Sequence, residues 1–417
     1  MKILFLSQLV PYPPDSGPKV RSYFTLRHLA KQNEVTLLAF SRPDDSPASI
    51  EHLRSFCRAV HTIPINRSTA RDGLEFLLSV LQKQSFIIRR DEVPAMKSKV
   101  EELTKNTHFD FIHADQLWMA QYAIGAKEAA RGPRLLLDEH NACYQIFQRL
   151  ADEEQNPLKR MIYRREWPAL KRYEAWACRQ FDQLVTVTNQ DRKTLESLVH
   201  ETYPNSETLD IQVIPICVDT EILQMVTPNP DASDVLHMGT MFWMPNVEGV
   251  AWFIERVWPL LKKRVPTASF SVVGKRPPDK LHQLAENDET IQIHGYAADP
   301  TPYLQKCAAF IVPLRSGSGM RVKIVEAWAR GLPIVSTTVG AEGLAYIDGE
   351  NILIADEEEI FAETVGRLLS DLDLNQKLRE NGRRWVEQKY DWRRVYQDWD
   401  TVYQKAQGIR ASSMITK

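Results

Sequence analysis

The chain has 417 residues, 43% hydrophobic and 25% charged, and a formal net charge of −2. That length exceeds one ordinary core and points to about two to three domains, while the composition excludes disordered and collagen-like classes. Near-neutral charge gives no global pull toward nucleic acid, so any basic surface is local.

Residues 1–6 form a short apolar run that Ser7 and Gln8 interrupt and Pro11, Pro13 and Pro14 stop. A buried first strand is expected there rather than a signal peptide. Further apolar runs at 35–40, 60–65, 109–113, 135–138 and 184–188 alternate with helical patterns such as 20–31 and 93–104. After a loop at 204–210 a second series begins, with strands expected at 235–238, 269–273, 291–294, 310–313, 333–336 and 352–354 and helices at 249–264, 320–330 and 359–369. Strands apolar throughout, each followed by a helix, predict parallel sheets covered on both faces. The reading is an α/β chain of two doubly wound, Rossmann-like domains, with the junction where Pro204, Pro215, Pro228 and Pro230 cluster. We assign 1–205 to the first domain and 206–390 to the second, with a Trp- and Tyr-rich terminal helix, 391–417, packing back on the first. Facing domains of this kind place the carboxyl ends of both sheets at one central cleft, where such sheets bind ligands.

The five cysteines, Cys57, Cys143, Cys178, Cys217 and Cys307, are widely spaced with no Cys-x-x-Cys. They suggest reduced core thiols of a cytoplasmic protein rather than a disulfide framework or a zinc site. No window reaches the roughly 18 to 20 apolar residues of a spanning helix.

The most informative stretch is residues 310–327. A buried run ends at Pro313, a loop with Gly317, Ser318 and Gly319 follows, and a helix is expected to start near Gly319 or Met320. Glycines admit close approach to a ligand, and free N–H groups at a helix start bind anions. Arg321 and Lys323 add cations where a helix start disfavours them, unless an anion such as a diphosphate sits between. Glu326, seven residues beyond Gly319, is expected about two turns into the helix, where a carboxylate can accept both hydroxyls of a ribose. No Gly-x-Gly-x-x-Gly follows the first strand and no Gly-Lys-Ser/Thr loop occurs, which lowers the dehydrogenase and P-loop readings.

This stretch, with 331–337 and 340–344 after it, resembles the donor half of family 4 retaining GT-B glycosyltransferases, of the kind acting in bacterial surface-polysaccharide assembly. The likeness extends to 239–246 with Gly249, to Val273-Gly274, His294-Gly295-Tyr296 and Tyr390-Asp391-Trp392, and in the first half to 11–17, Arg21 and Asp138-Glu139-His140-Asn141. It implies that His140 contacts the donor sugar near its reacting carbon and that Gly17 approaches the donor. Gly239, Arg321, Lys323 and the backbone at Gly317, Ser318, Gly319 and Met320 surround the diphosphate, Glu326 holds the ribose, and Gly274 helps frame the base. His140 and Glu326 are the expected catalytic residues. Ser318 stands where many members carry the first Glu of a Glu-x7-Glu pair, and 239–246 lacks the usual Arg and Lys.

His113 and Asp115 end the preceding strand and are set as acceptor-side candidates. Asp371-Leu372-Asp373 and Asp398-Trp399-Asp400 match a metal-holding Asp-x-Asp but fall in charge-rich helical patterns, so no metal and no cofactor is expected. The basic, aromatic stretches 159–172 and 86–90 leave peripheral contact with the inner face of a membrane open against a plain solvated helix. The expectation is a cytoplasmic, metal-independent, retaining transfer of a hexose-type sugar from a UDP- or GDP-sugar to a saccharide or lipid-linked hydroxyl. A nucleotide-sugar 2-epimerase and a non-catalytic nucleotide-sugar-binding protein are the alternatives.

Overall fold

The computed structural model describes residues 1–65, 67–129, 132–154, 156–317 and 319–413. The chain divides into two units, 1–216 with 395–417, and 217–394. The sequence-based junction at 205/206 falls short because a late strand, Ile211–Val213, still pairs into the first sheet.

Among the described residues, unit 1 is built on seven parallel strands: β1 (Lys2–Ser7), β2 (Glu34–Ser41), β3 (Ala59–Pro64), β4 (Phe111–Asp115), β5 (Arg134–Glu139), β6 (Gln183–Thr186) and β7 (Ile211–Val213), in the order β3-β2-β1-β4-β5-β6-β7. Ile3 to Leu6, Leu37, Leu38 and Leu135 to Leu137 are fully buried, as expected for strands covered on both faces. The order reverses between β1 and β4, which opens a crevice at their carboxyl ends. Register then lines up polar residues across that edge, Ser7 opposite Asp115 and Asp115 opposite Asp138. The terminal helix Asp398–Ser413 belongs to this unit and sets Tyr403 edge-on to Phe111 and Trp399 beside His113.

Unit 2 repeats the plan with β8 (Asp234–Met238), β9 (Ser269–Val273), β10 (Ile291–His294), β11 (Cys307–Val312), β12 (Ile334–Ser336) and β13 (Leu353–Ile354), ordered β10-β9-β8-β11-β12-β13 and parallel throughout. Phe253, Trp258, Phe270 and Phe361 form an aromatic core under the sheet. The expected helix 249–264 is interrupted: Met244–Trp252 runs into a π-helical turn, Phe253–Val257, before Trp258–Arg264 resumes with Pro259 in its first turn. Proline lacks the N–H that a continuous helix would need there.

All five cysteines are buried free thiols. Among the described residues no helix is long and apolar enough to cross a membrane.

Candidate functional site

Unit 1 gathers Ser7, Arg21, Ser22, Asp115, Asp138 and His140 at the carboxyl edge of its sheet. The Arg21 guanidinium makes two 2.9 Å bonds to the Asp138 carboxylate, both side chains being fully buried. It also lies over the Trp399 ring, 4.8 Å from its centroid. Asp115 accepts hydrogen bonds from Ser7 Oγ at 2.9 Å and Ser22 Oγ at 2.7 Å. Its other oxygen sits 3.0 Å from His140 Nε2, which is 3.6 Å from Asp138.

Burial works against every charge in this cluster, so the pairings decide the outcome. For Asp138, desolvation pushes the carboxyl up, but Arg21 and His140 together outweigh it and hold it well below the usual carboxylate range. Desolvation alone would lower His140, but Asp115 and Asp138 raise it to about 9. With a value of about 9, His140 is expected to be an imidazolium at neutral pH, and among the described residues its Nδ1 has no hydrogen-bond partner. The loop that carries it is fixed by two buried carboxylates: Glu174 accepts the Cys143 and Tyr144 N–H groups at 2.7 and 2.8 Å, and Asp191 accepts that of Ala142 at 3.2 Å. Glu139, also buried, is pushed well above the carboxylate range by desolvation and by Glu174.

His113 does not take the acceptor-side position expected for it. It is fully buried, stacked on Phe5, with Nδ1 2.8 Å from the Tyr403 hydroxyl, and burial lowers it to about 4. Its strand position points it into the core layer beneath the edge. Asp115 is likewise fully buried and engaged with His140, so both candidates are support for the cluster rather than an open surface. Ligand-type atoms of His113, Asp115 and Asp138 lie within 4.8 Å of one another, yet the Arg21 guanidinium already supplies a cation to Asp138. Gly17 opens the helix Gly17–Leu29, whose first turn has no side-chain cap and no acidic residue; such a start is receptive to an anion.

In unit 2 the register of β8, β9 and β10 aligns Met238, Val273 and His294, so Gly239, Gly274 and Gly295 follow one another across the edge. Gly239 N–H bonds the Val273 carbonyl and Gly274 N–H that of Gly295. A Cβ on Gly274 would run into the Gly239 carbonyl oxygen, and one on Gly239 would lie 2.6 Å from Lys323 Nζ. Close packing against backbone thus demands the glycine at 274, whereas at 239 a side chain would displace the ends of Lys323 and Asn246.

Gly317 and Gly319 have φ of 111° and 81°, turning the loop after β11 into the helix Val322–Ala329. That helix begins later than the sequence suggests. Arg321 is its N-cap and Lys323 lies in its first turn, so Glu326 sits about one turn in rather than two. Ser318, a donor-side candidate, lies outside the described residues. Met320 is half-buried in the loop. Arg321 is buried, bonds the Gly319 carbonyl at 3.1 Å, lies 4.0 Å from Glu342, and faces the Trp243 ring at 5.5 Å. Lys323 donates to Asn246 Oδ1 at 2.7 Å. Desolvation, then Arg321, lowers the Lys323 ammonium to about 7. Burial raises Glu326, with Arg330 and Lys323 pulling the other way, and among the described residues its carboxylate makes no hydrogen bond or ion pair.

The sequence assigns no role to three supporting groups, although Arg21 and the 239–246 stretch lie within the resembling segments. Asn246, which donates to the Thr240 carbonyl and accepts from Lys323, places the ammonium; Ser22 and Arg21 place Asp115 and Asp138. One carboxylate of each Asp-x-Asp string has a partner within the protein. Asp371 caps the helix Leu372–Lys389 through Leu374 N–H at 2.9 Å, and Asp400 lies 3.1 Å from His28.

Residues 232–371 match the family model described as glycosyl transferases group 1, and residues 17–222 that of glycosyltransferase family 4. The chain is similar, at 22% identity over 95% of its length and 98% of the other's, to a 44.6 kDa protein in the cps region of Klebsiella pneumoniae. It is 31% identical over 36% of its length, and 44% of the relative's, to the lipopolysaccharide core biosynthesis glycosyltransferase LpsE of Rhizobium meliloti. Among solved structures it superposes on HepE of Anabaena, crystallised with UDP and glucose, with a TM-score of 0.65 at 15% identity, covering 99% of this chain and 100% of that one.

Two doubly wound parallel units, each with a glycine-bearing helix start at its sheet edge, together with these matches define a glycosyltransferase of the GT-B fold. Within that class the chain belongs to the family 4-like glycosyltransferases.

Proposed function

We propose that the protein transfers a hexose-type sugar, with retention of configuration, from a UDP- or GDP-sugar to a hydroxyl of a saccharide or lipid-linked saccharide, on the cytoplasmic side and without a metal ion. The observation that carries the reading is the cation pair at the start of the helix Val322–Ala329. Lys323 is held by a neutral amide and disfavoured as a cation by burial and by Arg321, and a diphosphate relieves that penalty. The leaving diphosphate gains charge in the transition state, so preorganised cations and N–H groups lower the barrier without a metal. Glu326 holds the ribose. The His140 imidazolium, held by Asp115, presents Nδ1–H to the donor sugar, while a donor phosphate oxygen takes the acceptor's proton on the same face. UDP and glucose bound to HepE, and the lipopolysaccharide core biosynthesis role of LpsE, support a nucleotide-sugar donor and a glycolipid acceptor.

Titration calorimetry with UDP and GDP in excess EDTA tests the donor site. Binding is expected with at least one of them, weakened by about 1.5–3 kcal/mol in Glu326→Ala, and turnover of the matching nucleotide sugar persists in EDTA. Binding or turnover that needs added magnesium or manganese overturns the metal-free reading.

A further inference from the structure

The helix Thr69–Leu81 is packed the wrong way round for a soluble surface. Ala70, Leu74, Leu77 and Leu81 recur at spacings of four, three and four and so share one face. The three leucines are 56%, 56% and 70% exposed, and the neighbouring Val80 is 44% exposed. The polar anchors flank this stripe. Arg71 donates to the Glu92 carbonyl at 2.8 Å, Glu75 pairs with Arg89 at 3.0 Å, and Gln82, just past the helix end, accepts from Arg89 at 2.7 Å. Polar residues, with Phe76 packed edge-on against Phe86 at 5.5 Å, thus hold the helix to the unit while its leucine stripe faces solvent.

A second element adjoins it. Arg165 lies over the Phe76 ring at 5.8 Å and donates to the Gln84 carbonyl, and Glu166 accepts the Phe86 and Ile87 N–H groups. Those residues belong to the helix Pro157–Cys178, whose first turns expose Leu158 and Met161 at 62% and 61%. Beside them Lys159, Arg160 and Arg164 are exposed, and in the stretch 157–172 the only carboxylate is the buried Glu166.

We propose that this face docks on an anionic bilayer, the leucine stripe entering the interface and the 159–165 cations meeting lipid phosphates. Apolar side chains flanked by Lys and Arg match the polarity profile of a headgroup region. A second copy of the chain is the competing occupant for a leucine stripe, but a two-fold pairing brings like surfaces together and sets the Lys159, Arg160 and Arg164 cluster of one copy near its equal. The inference deepens the proposal of a lipid-linked acceptor, yet vesicle binding is measured without donor or acceptor, so the two fail separately.

The test is co-sedimentation of the full chain with phosphatidylcholine vesicles, pure or containing about one third phosphatidylglycerol. Binding is expected to the anionic vesicles only, and to fall as salt rises. L74E/L77E/L81E and K159E/R160E/R164E each lower partitioning at least tenfold, and L77E alone at least threefold, with melting temperature and UDP affinity unchanged. No binding by the wild type, equal binding by the variants, or a leucine-dependent dimer by light scattering overturns the docking face. Intact vesicle binding with no UDP affinity would instead remove the donor reading.

Discussion

Asp115→Asn tests the charge assigned to His140. The substitution keeps the shape of the side chain, so the Ser7 and Ser22 hydroxyls retain an acceptor at 2.9 and 2.7 Å, but it removes the carboxylate 3.0 Å from His140 Nε2. In the wild type the imidazole is raised from its ordinary 6.5 to about 9 against the opposing effect of burial. That difference corresponds to ~3 kcal/mol in favour of the protonated form, and Asp115 heads the contributions that raise it. Losing it should remove about 1.5–3 kcal/mol. The folded value lies above the unfolded one, so this stabilisation is complete below pH 6.5 and is lost as pH rises through about 9. Wild-type stability from chemical denaturation should therefore fall between those limits, and the fall should shrink in Asp115→Asn. Nitrogen-15 spectra of histidine-labelled protein, with His140→Gln marking the resonance, read the titration directly. An imidazole that titrates alike in wild type and Asp115→Asn, with an unchanged pH slope of stability, would refute the reasoning.

Lys323, at about 7 in the free protein, should regain its proton beside a diphosphate. UDP binding at pH 8 is then expected to take up close to one proton, seen as a dependence of calorimetric enthalpy on buffer and absent in Lys323→Met; uptake of none contradicts the site. Gly274→Ala forces its Cβ onto the Gly239 carbonyl and should cost about 1–3 kcal/mol of stability as overpacking, measured by denaturant unfolding; a neutral substitution would mean that this edge can move apart. Arg21→Met leaves the buried Asp138 carboxylate without its guanidinium and should cost ~3–5 kcal/mol, with Arg21→Met/Asp138→Asn recovering part of the loss. A double variant no more stable than the single one counts against a pair that mainly neutralises itself.

Much of this protein is written locally. Apolar runs such as Leu135 to Leu137, bounded by turn residues and alternating with helical patterns, fit strands buried on both faces and a doubly wound parallel sheet. The glycine loop before Arg321, Lys323 and Glu326 was legible for the same reason, because cations at a helix start have no purpose of their own. Other features depend on register and on elements far apart in the chain. Ser7, Asp115 and Asp138 share a row only because β1, β4 and β5 are neighbours, so the charge on His140 could not be read from the residues beside it. His113 looked like a strand-end functional group until Tyr403, 290 residues on, closed over it. Asn246 gains its role from Lys323, 77 positions away. The outward leucines of Thr69–Leu81 carry an ordinary amphipathic pattern, and periodicity reports that a helix has an apolar face without saying which way it turns. Composition and periodicity act through each residue's own preference for water and backbone shape, whereas electrostatic pairing acts through distance, and distance is set by the fold.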